Sequence, residues 1–298
     1  MIYQKESKYI VYVPLFNFNW DDDLFLLNGF GKIDRIINFK EYINDEFNYY
    51  LSEFEFDNIK NATHWLIFEQ EETDKISRLE KINIFLLALW IAKPTRTHVQ
   101  LIFVSKPTVK TFIRVLDRFS WNKFSVVHNI DNECLVEVNK NISNIIAIYL
   151  NRKRLFNSLI LNLNGCVSNY WQVAFVSFSA ALEGILTYRT TPGITKRLAK
   201  SFACLTEIDR HKRDLAYKRF YELYNIRSDI IHGRAINFYD PDTNLRYLSN
   251  YEDLLRNIWK TIFNSKELIE ELENNDSLKE NYFRKIETGY TPPNVVKT

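Results

Sequence analysis

The stretch YNIRSDIIHGRA, residues 224–235, sets an arginine, Arg227, and a histidine, His232, five positions apart. Histidine can take or give a proton near neutral pH. Arginine stays charged and offers a planar fork of donors. On a helical wheel Phe220, Leu223, Tyr224 and Ile231 fall within an arc of about 100°, and Arg227 falls near the centre of that arc. A charge on a core-facing stripe is tolerated only when it is paired or faces a cleft. Left unpaired it costs several kcal/mol, comparable to the whole stability of a domain. Arg227 is therefore expected to meet a partner side chain, a ligand or another subunit. His232 lies about 140° round and about 7.5 Å further along, so the two side chains diverge on one straight helix. Gly233 suits the left-handed position that follows a helix end. The plain alternative is a capping histidine beside a structural arginine.

The elements that position this pair follow from periodicity and punctuation. The segments 8–16, 63–70 and 98–105 are short runs rich in β-branched and aromatic residues and read as strands. Residues 73–94 read as a helix, opened at Thr73/Asp74 and closed by Pro94. FSVVHN (124–129) and CLVEV (134–138) read as a hairpin, and 34–56 as helical. Beyond residue 140 the strand signals stop. One helix is expected from Asn141 or Ser143 to Gly165. A second, capped by Ser168 or Asn169, carries Trp171, Phe175, Phe178, Leu182, Ile185 and Leu186 on one face. A third opens at Pro192/Gly193 and runs through Cys204, a fourth spans about 207–232 and a fifth 250–274. The fold class is α+β: a mixed α/β domain over 1–140, then an all-α bundle over 141–298.

Composition bounds the rest. The 298 residues suit one large domain or two ordinary ones. Seven glycines and seven prolines argue against long low-complexity stretches. No secretory leader is read at the N-terminus, and the apolar run Ile82–Ala92 is far short of the roughly 20 residues of a membrane span. No membrane association is expected. Cys134, Cys166 and Cys204 are odd in number and widely spaced, which suggests buried thiols in a reducing, cytoplasmic setting. No His/Cys/Asp cluster has ligand spacing, so neither a metal nor another cofactor is expected. The formal charge of +2 is unevenly placed: residues 145–235 hold 14 Lys and Arg against 6 Asp and Glu, leaving the remainder net negative. A basic region of this kind suits a phosphate-rich partner, although a solvated face is the commoner cause.

The stretch RSDIIHG, an arginine, four residues and a histidine at a helix end, resembles the R-x4-H motif of the HEPN superfamily. The wider context is similar to its ApeA-like group: ALEGIL with Glu183 first, the basic helix ITKRLAKSFACL next, then FYELYNIRSDIIHG. The resemblance covers residues 145–275, about half the chain. It implies a metal-independent endoribonuclease acting as a homodimer, in which two motif helices pair so that residues diverging within one helix converge between two. By the same resemblance His232 acts as base or acid on the 2′-hydroxyl or leaving oxygen, and Arg227 stabilises the phosphorane-like transition state. Ser228 orients the phosphate or the histidine, and Glu183 pairs with Arg227. RNA is the implied partner, with tRNA a candidate target, in a toxin-like or anti-phage defence role. A phage-derived trigger or an antitoxin partner would govern it, and residues 1–140 would sense, select or restrain.

Lys196, Arg197, Lys200, Arg152 and Arg154 are candidates for contacts to the RNA backbone, each weighed against a solvated role. His64, His98 and His128 are expected to pack or face solvent, and His211, within DRHKRD, to belong to a solvated face. Trp20, Trp65, Trp90 and Trp121 are expected in the core. The alternative function is a non-catalytic HEPN module that dimerises or binds RNA or nucleotide.

Overall fold

The computed structural model describes residues 8–36, 38, 51–95, 97–105, 110–114, 129–188, 193–207, 209–234 and 241–290. They divide into two compact units, with the division at 142/143.

The first unit is built on a six-stranded antiparallel sheet in the order β2-β3-β4-β1-β5-β6. Its strands are β1 (Tyr9–Leu15), β2 (Leu24–Leu27), β3 (Gly31–Arg35), β4 (His64–Gln70), β5 (Leu101–Ser105) and β6 (Lys110–Arg114). β1 is central, pairing Val13 with Leu66 of β4 and Val11 with Val104 of β5. The three runs of β-branched and aromatic residues are thus β1, β4 and β5, three of the four inner strands. The hairpin β2–β3 is tight against β4 at Gly31, where an added Cβ would meet the Ile67 carbonyl at 2.4 Å. One sheet face packs Trp65, Ile67, Leu101 and Phe103 against Ile36, Leu51 and Ile59, the last on helix α1 (Glu53–Lys60). Helix α2 (Arg78–Ala92) starts at a capping box of Ser77 and Glu80, one turn after the Thr73/Asp74 expected to open it.

Helix α3 (Asn132–Asn151) corrects two expectations. CLVEV is helical: Leu135, Val138, Ile142, Ile145 and Ile148 are buried at helical spacing, and a short β-branched run could not reveal that alone. Nor does one helix reach Gly165. The chain breaks at Arg152 (φ −130°, ψ 112°) and restarts as α4 (Lys153–Val167). The cap comes from a distant residue, Glu273, whose carboxylate accepts from the amides of Arg154 (2.8 Å) and Leu155 (3.1 Å). Of 34–56, residues 34–35 are strand and 53–56 helix; 37 and 39–50 lie outside the described residues, as do 124–128 of FSVVHN, Trp121 and Pro192.

The second unit continues with α5 (Trp171–Leu186), α6 (Ile194–Thr206), α7 (Arg210–Ile231), α8 (Pro241–Phe263), α9 (Lys266–Glu273) and α10 (Asp276–Glu287). Gly165 does not stop α4; it lets α5 approach, since a Cβ there would lie 2.3 Å from the Phe178 ring. α5 has no side-chain cap; the Ser168 hydroxyl bonds the backbone of Tyr170 instead. The expected 250–274 helix is two, α8 and α9, divided before Ser265, which caps α9 through the Leu268 amide. α8 starts nine residues earlier than the sequence suggested, and α10 was not anticipated. No helix among the described residues is long and apolar enough to cross a membrane.

Candidate functional site

Helix α7 opens at Asp209, whose carboxylate accepts from the Lys212 amide at 2.9 Å. Phe220, Leu223 and Tyr224 are buried, but Ile231, on the same stripe, is 47% exposed. The stripe therefore leaves the core within its last two turns, and Arg227 stands where it does so. One guanidinium nitrogen lies 3.1 Å from Oε1 of Glu183 on α5, and the two side chains are only 26% and 24% exposed. The contact is close but poorly directed: Glu183 Oε1 and Arg227 Nε are both buried without an aligned hydrogen-bond partner. The attraction is thus Coulombic across a partly dry gap, rather than a two-point fork. Arg227 also sits over the Tyr224 ring, 5.3 Å from its centroid.

Around this pair stand groups that the motif did not single out. Burial, then the charge and hydrogen-bond acceptance of Glu183, push the Tyr224 phenol up to about 12. Tyr251, on α8, is fully buried and receives a hydrogen bond from Ser179 of α5 at 2.7 Å. Its phenol is held above the ordinary tyrosine range, chiefly by burial, with the Glu183 charge adding to it. Three helices thus meet round one carboxylate. Tyr224 could be placed on the stripe from the sequence; Tyr251 and Ser179 carried no signal, because no spacing links α8 to α5.

His232 is exposed and closes α7 as its C-cap. Gly233 takes the left-handed conformation (φ +62°). Its amide donates to the Ile230 carbonyl at 3.2 Å, and that of Arg234 to Asp229 at 2.9 Å. These two bonds form a Schellman ending, completed by the Arg234–Asp229 ion pair. The turn fixes where the histidine emerges, and the ring faces solvent. Ser228, half-buried, contributes its carbonyl to the His232 amide at 3.0 Å.

Antiparallel packing gathers the basic candidates at this end of the unit. Gly165 meets Phe178 and Ser158 meets Gly184, so the start of α4, with Arg152 and Arg154, adjoins the end of α5. Phe202 on α6 packs on Phe220 of α7, which puts Lys196 and Arg197 at the Arg227 end. Their availability differs. Arg154 is paired with Asp276 at 2.7 Å and Lys200 with Glu287 at 2.7 Å, a bond that raises the lysine's pKa. Arg197 lies over the Tyr188 ring at 5.6 Å. Lys196 is exposed without an ion pair among the described residues, and Arg152 is half-buried at the α3–α4 break. His211 is exposed on α7. In the first unit His64 is buried and bonded to the Asp22 carbonyl at 3.0 Å, and His98 stacks on Phe16. The three cysteines are buried and form no disulfide with one another. Among the described residues no three His, Cys, Asp or Glu side chains converge as a metal site would need.

Comparison of the chain with protein-family models, with curated proteins and with solved structures finds no match.

Proposed function

We propose that the chain is a metal-independent endoribonuclease of the HEPN type, with Arg227 and His232 as its catalytic residues. The observation that carries this reading is the Arg227–Glu183 pair: a three-quarters-buried arginine on the motif helix meets the carboxylate that the resemblance implied for it. His232 removes the proton of an RNA 2′-hydroxyl, the hydroxyl oxygen attacks the adjacent phosphorus, and the 5′-oxygen leaves, giving a cyclic phosphate. Arg227 offers its charge to the oxygens of the phosphorane-like transition state. DNA lacks the attacking group.

The exposure of Ile231 beside His232 supports a second copy covering this helix end, so that Arg227 and His232 from two chains line one cleft. Lys196, Arg197 and Arg152 would contact the RNA backbone, and Ser228 the scissile phosphate. A cytoplasmic, toxin-like or anti-phage effector acting on cellular RNA, tRNA among the first to test, fits this chemistry. Its trigger or antitoxin would act through the first unit.

The test is incubation of the purified protein with total RNA in excess EDTA, beside His232→Ala and Arg227→Ala. The expected outcome is discrete fragments ending in cyclic phosphate from the wild type alone, with both variants folded and dimeric. A fold that collapses in Arg227→Ala would support a structural arginine instead. The second reading is a non-catalytic module that dimerises or binds RNA or nucleotide. It is favoured by the neutralised state of Arg227, Arg154 and Lys200, and RNA binding without cleavage would establish it.

A further inference from the structure

We infer that Tyr224 is a positioning residue for Arg227, its ring carrying the guanidinium and its hydroxyl steadying the Glu183 carboxylate that faces the same guanidinium. The inference rests on the ribonuclease reading for its consequence, but not for its geometry.

Three positions apart on α7, Tyr224 and Arg227 lie on the same side of the helix. The arginine stem is long and flexible, and a single carboxylate contact without good direction cannot fix it. The second contact is the Tyr224 ring, 5.3 Å away. That ring is itself immobilised: it is 6% exposed and stacks on Phe220 at 6.2 Å with the planes 13° apart, and Phe220 packs on Phe202 at 5.2 Å. One turn before Glu183 on α5, Ser179 donates to the buried Tyr251 hydroxyl at 2.7 Å, which ties α5 to α8. Tyr224, Glu183 and Arg227 thereby form a closed triangle, each member touching the other two.

A phenylalanine would fill the Tyr224 position and keep the cation–π contact. The hydroxyl is the part that packing does not require, and it faces a carboxylate instead of solvent. A guanidinium fixed before the phosphate arrives loses no rotamer freedom in the transition state, which is how preorganisation enters the rate. Tyr224 touches no reacting atom in this arrangement and acts only through Arg227 and Glu183.

The experiment has two arms on the full-length protein. In the first, NMR of the arginine side chains measures rotation about the Arg227 Cζ–Nε bond, with Arg227→Lys identifying the signal. Rotation should be slow in the wild type and about tenfold faster in both Tyr224→Phe and Glu183→Gln. Fast rotation in the wild type, or no change in Tyr224→Phe, overturns the inference. In the second arm, Tyr224→Phe should lower kcat on RNA about tenfold with KM within about twofold, while Tyr224→Leu, which also loses the ring, should lower it further. An unchanged kcat in Tyr224→Phe overturns it as well. A wild type that cleaves nothing defeats the ribonuclease reading, and the rotation arm still decides whether the phenol holds Arg227. Should Tyr224→Phe unfold, Glu183→Gln carries the same rotation test.

Discussion

Two buried cations of the second unit, Arg227 and Lys279, solve the same electrostatic problem in opposite ways. Arg227 keeps its charge by meeting a carboxylate and an aromatic face, and retains a quarter of its surface in solvent. Lys279, on α10, is wholly buried, and among the described residues its Nζ hydrogen-bonds the Gly184 carbonyl alone, at 3.3 Å. The nearby carboxylates are engaged elsewhere: Glu273 caps α4, and Asp276 pairs with Arg154. Burial first, and the Arg154 charge second, pull the Lys279 ammonium down to about 7. A guanidinium cannot escape burial by losing its proton, whereas an ammonium can. The residue that must stay cationic is an arginine with a counter-charge. The one that only fills space and bonds a carbonyl can be a lysine.

The largest effect expected from breaking this contrast is at Lys279. Its pKa in the folded protein lies below its unfolded value of 10.5, so the unfolded chain takes up the proton first as pH falls. Stability should drop by about 1.4 kcal/mol per pH unit between those two pKa values and level off below about pH 7. Lys279→Met removes the titration and keeps the volume. It should stabilise the fold by about 3 kcal/mol at pH 7, the titration penalty of about 4 kcal/mol less about 1 kcal/mol for the lost hydrogen bond to Gly184, with the gain shrinking toward pH 10. Urea unfolding at several pH values measures this, and a variant less stable than the wild type at pH 7 would show that Lys279 is charged and paired.

A smaller loss is expected where the counter-charge is removed. Glu183→Ala leaves Arg227 partly buried with only the Tyr224 ring, and solvent reaches it through its exposed quarter. A loss of about 2 kcal/mol follows, below the value for a fully buried pair. Combining Glu183→Ala with Arg227→Met should recover part of it, because the second change removes the stranded charge. Additive losses, measured by thermal or urea unfolding, would mean that the two side chains are not coupled.

What the sequence disclosed of this contrast follows from the range of the interactions involved. Arg227 stood out because its neighbours at helical spacing are apolar, a purely local pattern, and the Gly233 helix end is local too. The inner strands β1, β4 and β5 were legible for the same reason, whereas β3, whose end was read as helical, was not. Elements decided by distant partners were not. The break at Arg152 depends on a carboxylate 121 positions further on, and Gly165 serves the Phe178 ring instead of ending its helix. CLVEV became helical because its apolar stripe continues into Ile142 and Ile145. Lys279 gave no signal at all: in DSLKENYF it reads as one more surface lysine, and it is the packing of α10 against the other helices of the unit that buries it.

The smallest effect should come from a third cation, one left in solvent. Lys200 bonds Glu287 at 2.7 Å, as short a contact as any the site holds, yet the lysine side chain is 56% exposed. Distance alone would rank this pair above Arg227–Glu183, which is 0.4 Å longer. Exposure reverses the order, because water and salt screen what they can reach, and holding a long lysine in one rotamer offsets much of the gain. Lys200→Met should therefore change stability by less than about 1 kcal/mol, with the difference fading in about 1 M salt. The Glu183→Ala loss, by contrast, should persist in that salt. Lys200 is also a candidate for RNA contact, and the same variant separates its two uses. A weakened salt dependence of RNA binding with stability unchanged would mean that the ammonium leaves Glu287 for phosphate when RNA is present. Binding unaffected by the variant would make Lys200–Glu287 a link between α6 and α10 alone.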